Sequence, residues 1–430
     1  MGLILVSALL RIPAFFLKHN NNDELIHLSL AMKIDRYGMR VFPENYNLFN
    51  TDITAKEGLL ILSFSKEKIG TLLKNFVAGE RELLSHHPPA LCALLTLSHN
   101  LLTRNGPYAV AGGMLRKSEV KAQFYACLVT FIFSILLIAA TYWFGKVLFN
   151  DEIGILAAAL LSITPIELLS SQKIWAEDMV GFFATLALIP YFYCLKKNNP
   201  IFACLAGLSC GIAMLSKMSG GFIIIAIVIF HLWQNRQKFF RGGKEILGVF
   251  LDKNILLFAL FFLFIAGPWL YIYIHSFGTS WTYNHFIPGK INLIVLPSGF
   301  MRFVHSRPWY TYFVATVFQM PFYFLVYPAL YYLFKEKNKE LQFLFALLAV
   351  FFTLLTLKAD KEERYFMPAY PAIAIVTAYT IHRIGAYLRK KQLYLLEGIL
   401  VLLFILGAFY SINLGMALAF RRSDLIGLPV

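Results

Sequence analysis

Long apolar runs alternate with short polar connections along this chain. A transmembrane helix needs about 20 predominantly apolar residues. Runs near 2–18, 123–146, 153–171, 179–195, 201–216, 219–234, 255–275, 310–334, 341–357, 365–386 and 393–419 therefore predict eleven spans. The stretch 88–103, PPALCALLTLSHNLLT, is apolar but short and contains His99 and Asn100. It reads either as a twelfth span or as a helix lying at the surface, and the loop charges favour the surface. In 66–80, Ile69, Leu72, Leu73, Phe76 and Val77 recur at helical spacing opposite Lys66, Lys68, Lys74 and Glu80. Such a helix either lies in the headgroup plane or packs on its own outer domain. The segment 276–309 has no helical apolar period and is long enough for a lid or binding loop.

Composition agrees with a polytopic membrane protein. The chain is 58% hydrophobic and only 15% charged, against roughly 25% charged residues in soluble domains. The run 2–18 lacks a basic start and a small-x-small cleavage site, and Arg11 interrupts it, so it reads as a first span rather than a signal peptide. The net charge of +15 sits in short loops between spans, which fits an anionic membrane face and excludes nucleic acid as a partner. Cys92, Cys127, Cys194, Cys204 and Cys210 all lie in apolar stretches without metal-type spacing.

Loop charge sets the orientation. Loop 235–254 carries five Lys/Arg, 335–340 three and 382–392 four. With eleven spans these loops and Lys196/Lys197 share one side, which the positive-inside rule makes cytoplasmic. The outer ends of the spans then carry Asp23/Glu24, HHPP (86–89), QKIWAED (172–178), Lys217 and KADKEERYF (358–366). A transporter would more often hide such groups near the midplane. A one-sided set favours an enzyme working at the outer face.

The order of motifs resembles the GT-C superfamily of membrane glycosyltransferases. Its nearest branch is the glycosyltransferase 39-like group, with protein O-mannosyltransferases and bacterial aminoarabinose transferases. The matching stretches are DELIHLSLAMKI (23–34), HHPPALCALL (86–95), the segment 153–188, LAGLSCGIAMLSK (205–217) and ERYFMPAYPAIAI (363–375). The resemblance implies an all-α bundle of about eleven (11–13) transmembrane helices with extracytoplasmic juxtamembrane helices. The chain is then expected to form one membrane domain, with 19–122 and 276–309 as its outer loops; it departs from many relatives in that no C-terminal soluble domain is expected after the last span. It also implies an inverting transfer of a sugar from a polyprenyl-phosphate donor to an acceptor hydroxyl on protein, lipid or polysaccharide. The inner or plasma membrane is favoured over the endoplasmic reticulum.

Such a transfer needs a carboxylate to take the acceptor's proton and positive groups to stabilise the departing phosphate. Asp23 is the candidate base, against the alternative of a plain helix cap. Glu24 would orient the acceptor or share the role, and His27, one turn on, would orient Asp23. Asp178 would hold the acceptor, a basic ligand or a cation, or simply suit a helix N-terminus, and Glu177 is a weaker candidate beside it. His87, Lys217, Arg364 and Tyr365 are the donor-phosphate candidates, with His86, Lys173, Lys358 and Lys361 as auxiliaries. Asp23, Glu24, His27, His86, His87 and Asp178 also have the chemistry to ligate a divalent cation, which the spacing leaves open. The competing functions are a flippase for a lipid-linked sugar and an O-antigen-ligase-like transferase.

Overall fold

Backbone N–H and C=O groups inside a bilayer must be satisfied within the chain, so apolar runs of this length fold as helices. The computed structural model describes residues 2–16, 24, 27, 28, 31, 88–103, 119–237, 248–285, 310–357 and 362–424. All regular structure among the described residues is helical. The helices are α1 (Gly2–Arg11), α2 (Pro89–Thr103), α3 (Glu119–Leu148), α4 (Asp151–Ser162), α5 (Pro165–Ser171), α6 (Glu177–Lys197) and α7 (Pro200–Ser216). They continue as α8 (Phe222–Gln234), α9 (Lys253–His285), α10 (Thr311–Gln319), α11 (Val326–Glu336), α12 (Lys339–Leu357), α13 (Tyr370–Lys390) and α14 (Tyr394–Asp424).

Five of these have a stretch long and apolar enough to cross a membrane: 124–148, 177–197, 253–271, 339–357 and 394–418. A sixth crossing arises if α4 and α5, bent by 67° at their junction, count as one. The protein is thus an integral membrane protein, but eleven uninterrupted spans are not what the described residues contain. The expected spans 201–216 and 219–234 are helices of 17 and 13 residues joined by a break at Lys217–Gly221. The expected span 310–334 is α10 and α11 separated by a 3₁₀ turn, Pro321–Leu325. The segment 365–386 opens as a 3₁₀ turn, Glu363–Ala369, before α13 begins. Prolines at 165, 321, 368 and 371 stand at the α4–α5, α10–α11 and pre-α13 breaks, where the missing N–H and ring clash forbid a continuous helix. The Lys217–Gly221 break carries glycines instead.

The breaks sit inside the bundle, where neighbouring groups satisfy the freed backbone. At the α4–α5 bend, the Ile166 N–H donates to Gln319 Oε1 at 2.9 Å, and Thr164 Oγ1 lies 2.6 Å from the Tyr323 hydroxyl. The core forms where α6 packs on α3 and α7, α7 on α9, α4 on α13, and α8 on α12. A second, smaller core gathers Leu28, Ala31, Leu91, Leu95, Cys127, Ile174 and Met179.

The α7–α9 contact depends on small residues. A methyl group at Gly207 would meet the Phe258 carbonyl oxygen at 2.3 Å, and one at Gly211 would meet Ile265 Cβ at 2.7 Å. The Gly-xxx-Gly spacing in LAGLSCG brings the two helix backbones together.

One end of the bundle collects the basic connections. Lys196 lies 3.6 Å from Glu340, Asn198 bonds to Asn254 at 2.9 Å, His382 approaches Glu152 at 3.0 Å, and Arg383 pairs with Glu336. Glu177 lies at the far end of the same helix, α6, about 30 Å away at 1.5 Å per residue.

Replacing Gly207 by leucine is expected to force α7 from α9 and destabilise the fold by more than the roughly 1–3 kcal/mol typical of overpacking. Thermal unfolding of the purified protein in detergent, compared with a serine variant of the exposed Leu205, measures this.

Candidate active site

The site is built around the connection QKIWAED. Pro165 starts α5, which ends at Ser171, and the Lys173 N–H turns back to Ser170 O at 3.1 Å. Helix α6 then begins with Glu177 and Asp178 in its first turn, both about 1% exposed. The positive end of a helix favours carboxylates there. The Trp175 ring is buried between them and the turn that carries Arg364.

Glu177 is the hub. Its carboxylate accepts from Lys217 Nζ and lies 3.6 Å from Arg364 Nε. Lys217 stands on extended backbone in the break between α7 and α8 (φ −159°, ψ 143°), so its side chain leaves the helix axis. The turn that follows is tight. The Gly220 N–H bonds to Lys217 O at 2.8 Å, and a methyl at Gly220 would strike Ala213 O at 2.4 Å. Arg364, from the turn before α13, also pairs with Glu362. Its guanidinium lies over Trp175 at 4.5 Å and Tyr365 at 5.5 Å, while Lys217 Nζ sits over the same Tyr365 ring at 4.7 Å. Cation–π contacts of this kind hold a guanidinium plane and an ammonium without neutralising them.

Glu24 reaches the same connection from the N-terminal side. It is fully buried, and its Oε1 accepts from the Ile174 N–H at 3.1 Å. His27 is buried with Nδ1 3.7 Å from Cys92 Sγ. Asp178 is 1% exposed, and neither of its oxygens meets a donor among the described residues. The charges whose fields reach it are those of Glu167, Arg11 and Glu177. Lys173 is buried close by in the chain. The structure thus brings Glu177, Lys217, Arg364 and Tyr365 into contact, with Asp178 next in the chain and Glu24 bonded to the loop leading into it. Asp23, His86, His87, Lys358, Lys361, helix 66–80 and most of the 276–309 loop lie outside the described residues. Among the described residues, no three His, Cys, Asp or Glu side chains come close enough to hold a metal ion.

A second ion cluster escaped the sequence reading. Arg11 is fully buried and pairs with the equally buried Glu167. Its Nε donates to Ser134 Oγ at 2.6 Å, and the Ser7 and Ser162 carbonyls accept from its terminal nitrogens at 2.7 and 3.1 Å. Ser134 also donates to Glu167. The pair joins α1, α3 and the α4–α5 bend just below the QKIWAED loop. The signal was present: each is the lone charge within an apolar run, and a buried charge of that kind demands a partner.

The bundle of broken apolar helices carries an ionic cluster at the end opposite its basic connections, and the family match and structural likenesses place it in the GT-C fold. The chain belongs to the dolichyl-phosphate-mannose-protein mannosyltransferase family, whose model matches residues 63–305. Its fold resembles ArnT from Cupriavidus metallidurans bound to undecaprenyl phosphate. That match has a TM-score of 0.57 at 12% identity and covers 99% of this chain and 71% of that one. It also resembles the archaeal oligosaccharyltransferase AglB from Archaeoglobus fulgidus in complex with an inhibitory peptide and a dolichol-phosphate. There the TM-score is 0.59 at 14% identity, over 100% of this chain and 56% of the other. Two uncharacterized proteins of Aquifex aeolicus (strain VF5) are 26% identical over 230 residues and 25% identical over 251. The matches cover 53% and 56% of this chain, and 43% and 50% of those proteins, so the chain spans about half the length of the curated relatives it matches.

Removing one partner of a buried ion pair costs about 3–5 kcal/mol, whereas replacing both by apolar groups is often close to neutral. Arg11→Met and Glu167→Leu are each expected to lower the unfolding midpoint strongly, and the double variant to recover most of the loss. A thermal double-mutant cycle reads this directly.

Proposed function

We propose that the chain is an inverting glycosyltransferase that moves a sugar from a polyprenyl-phosphate donor to an acceptor hydroxyl at the extracytoplasmic face of its membrane. The observation that carries this reading is the pairing of Lys217 and Arg364 at one carboxylate, with Tyr365 beneath both, at the bundle end opposite the basic connections. The family match and the polyprenyl phosphates bound by ArnT and AglB support a phosphate of that kind as the group these cations meet. The basic far end supports placing that end at the cytoplasm, and so the site outside.

In this mechanism the acceptor oxygen attacks the anomeric carbon from the face opposite the phosphate. The bond between that carbon and the phosphate oxygen breaks, and its electron pair leaves with the phosphate. Lys217 and Arg364 stabilise the charge that develops there. Asp23 takes the acceptor's proton, and Glu24, fixed on the Ile174 N–H, holds the acceptor beside it. Asp178 offers buried, unbonded carboxylate oxygens to an acceptor hydroxyl or to a cation. A polyprenyl-phosphate sugar is thus the donor partner, and the acceptor is a hydroxyl compound.

Purified protein incubated with a labelled polyprenyl-phosphate sugar and a candidate hydroxyl acceptor is expected to release polyprenyl phosphate and label the acceptor. Translocation of the donor across vesicles without its cleavage would instead identify a flippase. Arg364→Ala is expected to raise the apparent KM for donor at least about tenfold, a loss of roughly 1.4 kcal/mol, and to leave the acceptor's KM within about twofold. Asp23→Asn is expected to lower kcat by about 10²–10⁴, the usual worth of a general base, while donor binding persists. Steady-state kinetics with each substrate varied separately checks both.

A further inference from the structure

Both cations of the site are already engaged by Glu177. That carboxylate lies behind them: its side chain is 2% exposed, against 10% for Arg364 and 21% for Lys217. It is buried in the first turn of α6, two residues after the buried Trp175, and is held by Lys217 from the α7–α8 break. A phosphate approaching Lys217 and Arg364 from their exposed side would therefore meet a fixed negative charge on the other. We propose that Glu177 is a resident counter-ion that grades the site's hold on phosphates by their charge and drives release of the lipid phosphate product. The inference rests on the reading of Lys217 and Arg364 as the phosphate-binding groups.

The chemistry gives the grading a direction. A polyprenyl-phosphate sugar is a phosphodiester with one negative charge. The lipid phosphate left after transfer is a monoester carrying about −1.5 to −2 at neutral pH. Against two cations alone, the product would be held more tightly than the donor and would block the next turnover. A carboxylate fixed beside the cations repels each phosphate in proportion to its charge, so it weakens the product more. After release, the carboxylate again serves as the counter-charge of Lys217, while Arg364 keeps Glu362 as well, so the empty site is not left with an unpaired cation. A purely structural acid would show no such dependence on ligand charge.

The test compares two lipids on the full-length protein in nanodiscs: undecaprenyl phosphate and its methyl phosphodiester. In Glu177→Gln, the Kd for undecaprenyl phosphate is expected to fall at least about tenfold. The Kd for the singly charged ester should fall only about threefold, since Coulomb energy is linear in charge. Product inhibition by undecaprenyl phosphate should strengthen in parallel. Equal shifts for the two lipids, no shift, or weaker binding in the folded variant would overturn the proposal. If the glutamine variant does not fold, Glu177→Asp takes its place. It draws the charge back by one methylene, and the same order of effects is expected at smaller size, with a reversed or equal order overturning the idea. Lys217→Ala and Arg364→Ala separate the two levels of the argument. If they bind undecaprenyl phosphate as the wild type does, the phosphate-site reading itself fails. If they lose it while Glu177→Gln binds no better than wild type, only the counter-ion role falls.

Discussion

A charge inside an apolar bundle must find a partner, and that requirement organises this structure. Arg11 and Glu167 would each be prohibitively placed alone, yet together with Ser134 they are fully buried. Their pairing ties the first helix to α3 and to the α4–α5 bend. The bend in turn delivers Gln172 and the loop leading to Glu177. The site therefore stands on a lower ionic layer, and its own charges form the upper one. Asp178, next in the chain to Glu177, is buried beside them with neither oxygen bonded among the described residues.

The same economy explains the broken helices. Interrupting a helix within the membrane frees backbone groups that water cannot satisfy. Here the interruptions lie beside side chains from other breaks. Gln319, at the end of α10, accepts from Ile166 at the start of α5, and its amide nitrogen reaches Glu363 at the start of the 3₁₀ turn before α13. Three discontinuities share one glutamine. The prolines that cause them are thus not isolated kinks but a set placed to meet, and the turn bearing Arg364 follows directly from one of them.

Much of this was legible in the residues. The apolar runs announced helices, and the ordered motifs from DELIHLSL to ERYFMPAYP pointed to the GT-C fold that the structural likenesses share. Lys217, the lone cation between two apolar segments, and Arg364, the last charge before one, were identifiable as groups needing a purpose. Partner choice was not legible. Glu177 and Asp178 are adjacent and chemically alike, so nothing local says which receives both cations; the helix phase of α6 decides it. Apolar length likewise does not reveal where a helix stops, so 201–234 looked like two full crossings when it holds two short helices around Lys217. The Arg11–Glu167 pair spans 156 positions, and only packing brings it together.

Helix α6 carries the ionic hub on its first turn and Lys196 and Lys197 on its last. It is a stiff strut between the two ends of the bundle, interrupted only by Pro190. Membrane insertion and placement of the chemistry are consequently one decision: whatever fixes the compartment of those two lysines during biogenesis also fixes the compartment that the Glu177 cluster faces. An inverted molecule would keep the same cluster intact and present it to the opposite compartment.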